Sequence, residues 1–93
     1  MNRKERRAQQ TIDGSLSPTA FVEVSNKFID VANKQNSTVK ASELHMAFLF
    51  GSARYSAFFA KNIAKTENQE EFVDHMTKQY MEMLRQHLAD PSV

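Results

Sequence analysis

Residues 44–64 read LHMAFLFGSARYSAFFAKNIA, a stretch too long and too apolar to be a loop. On a helix, at about 100° per residue, its ring-bearing side chains and its alanines fall on opposite sides. The ring side holds Leu44, Ala47, Phe48, Gly51, Tyr55, Phe58 and Phe59. The alanine side holds Met46, Phe50, Ala53, Ala57, Ala60 and Ala64. A helix that is apolar on two sides is usually buried on two sides, so the pattern predicts a central helix flanked by two others.

The alanine side has two interpretations. In the first, it lies inside the chain, where small side chains let another helix come close. In the second, it contacts a second copy or another protein. The candidate interaction surface is then Met46, Phe50, Ala53, Ala57 and Ala60, with Met81 of the third helix as an additional contact. Gly51 costs about 1 kcal/mol relative to alanine in a helix, so we expect a neighbour there that leaves no room for a Cβ.

The start of the first helix is marked by Ser17 as N-cap and Pro18 at the first helical position. This helix is predicted for about 18–35, with one apolar side. Ser42 is predicted as the N-cap of the central helix, and Glu43 is favourable in its first turn. The central helix then covers about 42–64.

The third helix is predicted for about 67–89. Thr66 and Asn68 are alternative N-caps, because each has a Glu or Gln three residues later. Asp90-Pro91 ends the helix. Its apolar side consists of Phe72, Val73, Met76, Tyr80, Met83, Leu84, His87 and Leu88.

The N-terminal residues 1–16 (MNRKERRAQQTIDGSL) have few large apolar side chains, so we expect a flexible arm preceding a helical domain at 17–93. The arm carries four of the 12 Lys and Arg residues, namely Arg3, Lys4, Arg6 and Arg7, against two of the 11 acidic ones. The rest of the chain therefore has eight basic and nine acidic residues. The arm predicts weak, strongly salt-dependent nucleic-acid binding.

The amino-acid composition excludes several further classes of protein. The 93 residues suffice for one domain, 41% of them are hydrophobic, and the net charge is only +1. The absence of cysteine excludes disulfides, Cys-ligated zinc and thiol nucleophiles. No apolar segment follows the basic N-terminus, and no run reaches the roughly 18 apolar residues of a membrane span. We therefore expect a cytoplasmic protein without membrane contact.

The predicted fold is an all-α three-helix bundle with the central helix buried on two sides and a flexible basic N-terminal arm.

Three segments together resemble a known family. They are FIDVANKQ (28–35), SARYSAFFA (52–60) and KQYMEMLRQHLAD (78–90). In this order and spacing they are similar to short proteobacterial proteins classified only as a domain of unknown function, the one numbered three thousand one hundred forty-four. The resemblance covers roughly Phe21 to Asp90 and leaves out the basic arm. It implies a small all-helical protein and supplies no activity.

Arg54 is the candidate for an anion contact. A guanidinium on a largely apolar helix can hold a phosphate or a carboxylate, and with Tyr55 it would make a small-molecule site. The alternative is an ion pair with Asp30 or Glu82, which we favour because arginine is the usual choice for partly buried pairs.

The sequence gives little support for a catalytic site or a metal site. Glu71 and His75 lie four apart, with Glu82 on the same side, but solvated surface charges explain this pattern better than a metal site. Two glycines in the whole chain exclude a glycine-rich phosphate loop. We predict no cofactor, no metal and no enzyme activity.

The sequence thus predicts a non-enzymatic helical interaction module that self-associates or binds a protein partner. The alternative is a nucleic-acid-associated accessory protein that binds through its basic arm.

Overall fold

The computed structural model describes residues 14–93, and this part of the chain forms three α-helices and no strand. Helix α1 spans Pro18–Gln35, α2 spans Ala41–Phe58 and α3 spans Gln69–Ala89. A π-helical turn, Phe59–Ile63, continues α2. The all-α three-helix fold is therefore confirmed. Arg3, Lys4, Arg6 and Arg7, on which the prediction of a basic arm rests, lie outside the described residues.

Helix α1 begins as its sequence predicts. Ser17 has extended backbone angles, and its Oγ accepts a hydrogen bond from the N–H of Ala20 at 3.2 Å. Pro18 follows at the first helical position, where its missing N–H costs nothing. The helix ends at Asn36, whose N–H donates to the carbonyl of Ala32 at 2.9 Å.

The predicted N-cap of α2 is wrong. The carbonyl of Lys40 accepts the first helical hydrogen bonds, from the N–H groups of Glu43 at 3.0 Å and Leu44 at 2.9 Å. Ser42 therefore lies inside the first turn. The reason is the connection from α1, in which the carbonyl of Gln35 accepts hydrogen bonds from the N–H groups of Thr38 and Val39. This turn brings the chain into helical conformation earlier than the serine suggests.

The end of α2 departs from regular α-helix. The N–H of Ala64 donates to the carbonyl of Phe59, five residues back, at 2.9 Å. The N–H of Thr66 donates to the carbonyl of Ala60 at 2.8 Å. Between them Lys65 has φ +50°, the left-handed conformation that usually ends a helix at glycine. No glycine or asparagine in the sequence marks this ending.

Helix α3 begins at the second of its two predicted caps. The side-chain oxygen of Asn68 accepts from the N–H of Glu71 at 3.1 Å, with Glu70 and Glu71 in the first turn. At the other end Asp90 closes the helix, and its Oδ1 accepts from the N–H of Ser92 at 2.9 Å and from its Oγ at 2.8 Å. These two bonds hold the pKa of the Asp90 carboxyl below its usual value.

The chain divides into two compact units, with the boundary between Leu49 and Phe50 inside α2. In the first unit Ala20 is buried, and Val24, Ala32, Val39 and Leu44 are half-buried. In the second unit Ala60 is buried, and Ser56, Thr66, Phe72 and Met76 are half-buried.

The expected burial of the central helix on two sides is not found. No residue of α2 is buried, although Leu44 and Ser56 are half-buried. The physical reason lies in the two units. The first half of α2 shares its unit with α1, and the second half shares its unit with α3. One neighbour covers one side of a helix, so the other side of each half has no cover within its unit.

Candidate interaction surface

The alanine side of α2 is exposed over most of its length. Met46, Phe50, Ala53 and Ala57 recur at i, i+4, i+7 and i+11 on this helix, and all four are exposed. Phe50 is 73% exposed. Ala60, one π-turn further on, is only 5% exposed. The available part of the predicted surface therefore runs from Met46 to Ala57.

The ring side of α2 is exposed as well. Tyr55 and Phe58 lie three residues apart, with ring centroids 6.1 Å apart and ring planes inclined by 40°. This is a tilted aromatic pair in the favourable distance range. Tyr55 is nevertheless 72% exposed. The two rings contact each other, and the chain leaves most of their area to solvent.

Gly51 corrects another expectation. A Cβ built at this position meets no atom within 4 Å. The tight neighbour that we inferred from a mid-helix glycine is therefore not found among the residues of its own unit. The expectation fails there because this unit does not enclose α2 on the side of Gly51.

Arg54 stands in solvent and has no partner within its unit. It is exposed and forms neither an ion pair with Glu82 nor a side-chain hydrogen bond in the described part of the second unit. A buried anion site needs a desolvated guanidinium held by neighbours. Arg54 carries the charge that such a contact needs, but its side chain is exposed and no neighbouring groups of its unit surround it. Tyr55 beside it is exposed too.

No cluster of three or more His, Asp or Glu residues that could hold a metal ion occurs within residues 14–93. Within the same residues, no helix combines the length and the apolar character needed to cross a bilayer.

Helix α3 carries a second apolar surface, which the sequence reasoning assigned to the interior. Of its eight predicted apolar positions only Phe72 and Met76 are half-buried, and the others are exposed. Leu88, near its C-terminus, is 76% exposed. One feature of the sequence predicts that part of this apolar surface stays exposed. The apolar arc, measured from Phe72 to Met81, spans about 180° at 100° per residue, more than one neighbour covers.

The family model described as "Protein of unknown function (DUF3144)" matches residues 21–91. No curated protein and no solved structure matches the chain. The matched range contains α2, α3 and nearly all of α1, and it begins after the basic arm. The chain therefore belongs to the DUF3144 family, a family of proteins of unknown function.

Proposed function

We propose that this protein is a non-enzymatic helical interaction module that self-associates or binds another protein through the apolar sides of its helices. The alanine side of α2, from Met46 to Ala57, is the candidate contact surface. Met81 on α3, 42% exposed, is the additional contact. We place the protein in the cytoplasm, as its cysteine-free sequence suggests.

One observation supports the proposal above all others. Among residues 14–93, 21 large hydrophobic side chains are exposed. The remaining five are Val24, Val39, Leu44, Phe72 and Met76, and all of them are half-buried. Single exposed apolar residues are common on protein surfaces, but protein interiors are close-packed with large side chains. A chain that buries none of them completely has apolar surface available for another molecule.

The test places a charge on the alanine side. Ala57→Glu puts a carboxylate at the C-terminal end of the candidate surface on α2, and Ser52→Glu puts the same side chain on a polar, exposed position of the same helix. Circular dichroism checks that each variant is folded, and light scattering measures its mass. The same proteins serve as bait for affinity capture from the native host.

We expect the native protein and Ser52→Glu to self-associate, or to capture the same protein, and folded Ala57→Glu to lose this contact. A monomeric native protein that captures nothing, and that unfolds with Ala57→Glu, would show that the alanine side is internal and would remove the proposal.

The second candidate function is nucleic-acid binding through the arm. The observation that favours it is the charge distribution, since four of the 12 basic residues lie between Arg3 and Arg7. Four phosphate contacts release few counterions, so binding through the arm alone is weak.

A further inference from the structure

The connection from α2 to α3 departs from regular backbone geometry at two successive points. The first is the π-helical turn Phe59–Ile63, in which hydrogen bonds reach five residues along the chain instead of four. The second is Lys65, whose φ of +50° is a conformation that residues other than glycine rarely adopt. Such conformations persist only where the surrounding structure holds them, and they are found most often at switch regions and other functional sites. Both departures therefore need an explanation.

The side chains of this connection do not require the helix to end there. Between Gly51 and Pro91 the sequence contains neither glycine nor proline, so it holds none of the residues that break a helix. A helix usually enters the left-handed conformation at glycine, which adopts it without strain. At Lys65 the same conformation is imposed on a good helix former. Local chemistry therefore permits a second arrangement, in which α2 continues through residues 59–68 into α3 as one helix.

The hydrogen bonds of the connection have partners in both arrangements. The N–H groups of Ala64 and Thr66 donate to carbonyls five and six residues back, at 2.9 Å and 2.8 Å. In a continuous α-helix the same groups donate to carbonyls four residues back. The side chain of Asn62 also takes part, since its Nδ2 donates to the carbonyl of Phe58, four residues back, at 3.2 Å. Conversion of one arrangement into the other therefore exchanges hydrogen bonds and does not abolish them.

The interactions that hold α3 within its compact unit are few. No residue of α3 is buried, and only Phe72 and Met76 are half-buried. Within residues 50–93, no side-chain hydrogen bond or ion pair joins α3 to α2. The cap at Asn68, whose side-chain oxygen accepts from the N–H of Glu71 at 3.1 Å, exists only while α3 begins at that point. Weak packing and a strained connection together leave the two arrangements close in free energy.

We propose that residues 59–68 are a conformational switch. In the closed state, which is that of the structure, the second half of α2 and α3 form one compact unit. In the open state α2 and α3 form a single continuous helix, and Lys65 has ordinary helical angles. The open state gives up the cap at Asn68 and is the minor one, on the order of 1% of the molecules. This inference goes beyond the proposed function, because it concerns a change of conformation within one chain.

Opening changes the apolar surface that the second unit presents. On a continuous helix, Phe72 and Met76 have no neighbouring helix of their own unit to cover them, whereas both are half-buried in the closed state. A molecule that binds them recognises the open state and shifts the equilibrium by the ratio of its affinities for the two states. The switch therefore regulates how much of α3 is accessible.

The test measures one distance across the connection. The chain has no cysteine, so Ser52→Cys together with Lys78→Cys places two spin labels at exposed positions of α2 and α3. In a continuous helix these positions are about 39 Å apart, at 1.5 Å per residue. In the closed state both belong to one compact unit and lie closer together. Pulsed electron paramagnetic resonance gives the distribution of this distance, and an excess of unlabelled chain ensures that both labels belong to one molecule.

Substitutions in the connection should change the open fraction in opposite directions. Asn68→Ala removes the cap of α3 and should raise the ratio of open to closed molecules about tenfold. Lys65→Gly, added to Asn68→Ala, should lower that ratio at least tenfold, because glycine adopts the left-handed conformation without strain and is a poor helix former. Lys65→Arg, added in the same way, is the matched control and should leave the ratio unchanged. Thr66→Ala keeps the cap and should raise the ratio about threefold through helix propensity alone.

Circular dichroism checks that each labelled variant is helical. A distance near 39 Å that increases in Asn68→Ala and disappears on addition of Lys65→Gly would support the switch. If neither Asn68→Ala nor Thr66→Ala shows this distance, the connection does not open and the proposal is wrong. A 39 Å fraction that Lys65→Gly leaves unchanged overturns it as well, since opening would then not depend on the strain at Lys65.

These outcomes are separate from the test of the proposed function. The distance is measured within one chain and needs neither a partner nor a second copy. If no variant opens but Ala57→Glu abolishes association or capture, the switch is wrong and the interaction module stands. If the chain opens as expected but Ala57→Glu has no effect, the switch stands and the alanine side loses its role.

Discussion

The Oγ of Ser17 accepts a hydrogen bond from the backbone N–H of Ala20 at 3.2 Å, and this bond satisfies one of the free donors at the start of α1. Ser17→Ala should therefore lower the free energy of unfolding by about 1 kcal/mol. Ser42→Ala is the matched control, because Ser42 lies inside the first turn of α2 and caps nothing. Urea denaturation followed by circular dichroism measures both. An equal loss in the two variants would mean that Ser42 is a cap after all.

Gly51→Ala should raise the free energy of unfolding of the single chain by up to about 1 kcal/mol, because alanine is the better helix former. The added methyl group meets no atom within 4 Å. Thermal or urea denaturation of the variant at low protein concentration measures the change. A lower stability would show that a neighbour closes on Gly51 in solution, and a loss that grows with protein concentration would identify this neighbour as a second copy.

Lys65→Gly should stabilise the chain. Lys65 has φ +50°, a conformation that costs a non-glycine residue roughly 1–2 kcal/mol. Glycine removes this strain but loses about 0.5–1 kcal/mol more to chain entropy on folding, so a net gain on the order of 0.5 kcal/mol remains.

The matched control for this substitution is Lys61→Gly, four residues earlier within the π-helical turn. Lys61 has no positive φ, so glycine there should destabilise the chain by about 1 kcal/mol. Urea denaturation of both variants gives the comparison, and a loss of stability in both would contradict the left-handed ending at Lys65.

The turn after α3 should respond to acid. Hydrogen bonds from Ser92, first from its N–H and then from its Oγ, lower the pKa of Asp90 below its ordinary value of 3.8, and His87 adds a smaller effect in the same direction. A carboxyl whose pKa is lowered in the folded state stabilises that state above pH 3.8, and this contribution is lost as the pH falls through the lowered value.

Nuclear magnetic resonance titration of the Asp90 carboxyl and the Ser92 amide checks this prediction. Asp90→Asn keeps an acceptor oxygen but cannot titrate, so the Ser92 amide shift should become independent of pH in this variant. A midpoint for Asp90 above 3.8 would contradict the two hydrogen bonds.

The basic arm gives a prediction about salt. If Arg3, Lys4, Arg6 and Arg7 each neutralise one phosphate, the logarithm of the binding constant for double-stranded DNA should fall with that of salt concentration at a slope of roughly −3 to −4. Fluorescence anisotropy of labelled DNA and RNA, with the full chain and a chain lacking residues 1–16, measures this slope. Identical binding by both chains would remove the arm from any role in nucleic-acid recognition.

The helices of this protein and most of their ends could be predicted from short segments of the sequence. The cap at Ser17, the pair of candidate caps Thr66 and Asn68, and the end of α3 at Asp90 each depend on hydrogen bonds that reach two to four residues along the chain, although only the structure selects Asn68. The all-α class follows from the same local chemistry, and the family resemblance of three segments agrees with the match to residues 21–91. Where the local prediction failed, at Ser42, a preceding turn had already started the helix.

Burial could not be derived in this way. The apolar sides of α2 and α3 indicate surfaces that avoid water, but the same side chains serve a core or an interface equally well, and only packing distinguishes the two. Gly51 illustrates the difference, because the sequence predicted a tight neighbour and the structure places open space there.

The sequence by itself determined the three helices, the cap of α1 and the distribution of charge, since these depend on residues close together along the chain. Tertiary structure alone decided which apolar sides remain exposed, because burial requires neighbours from distant segments. Each half of α2 shares its unit with one other helix, and six of the eight predicted apolar positions of α3 remain exposed.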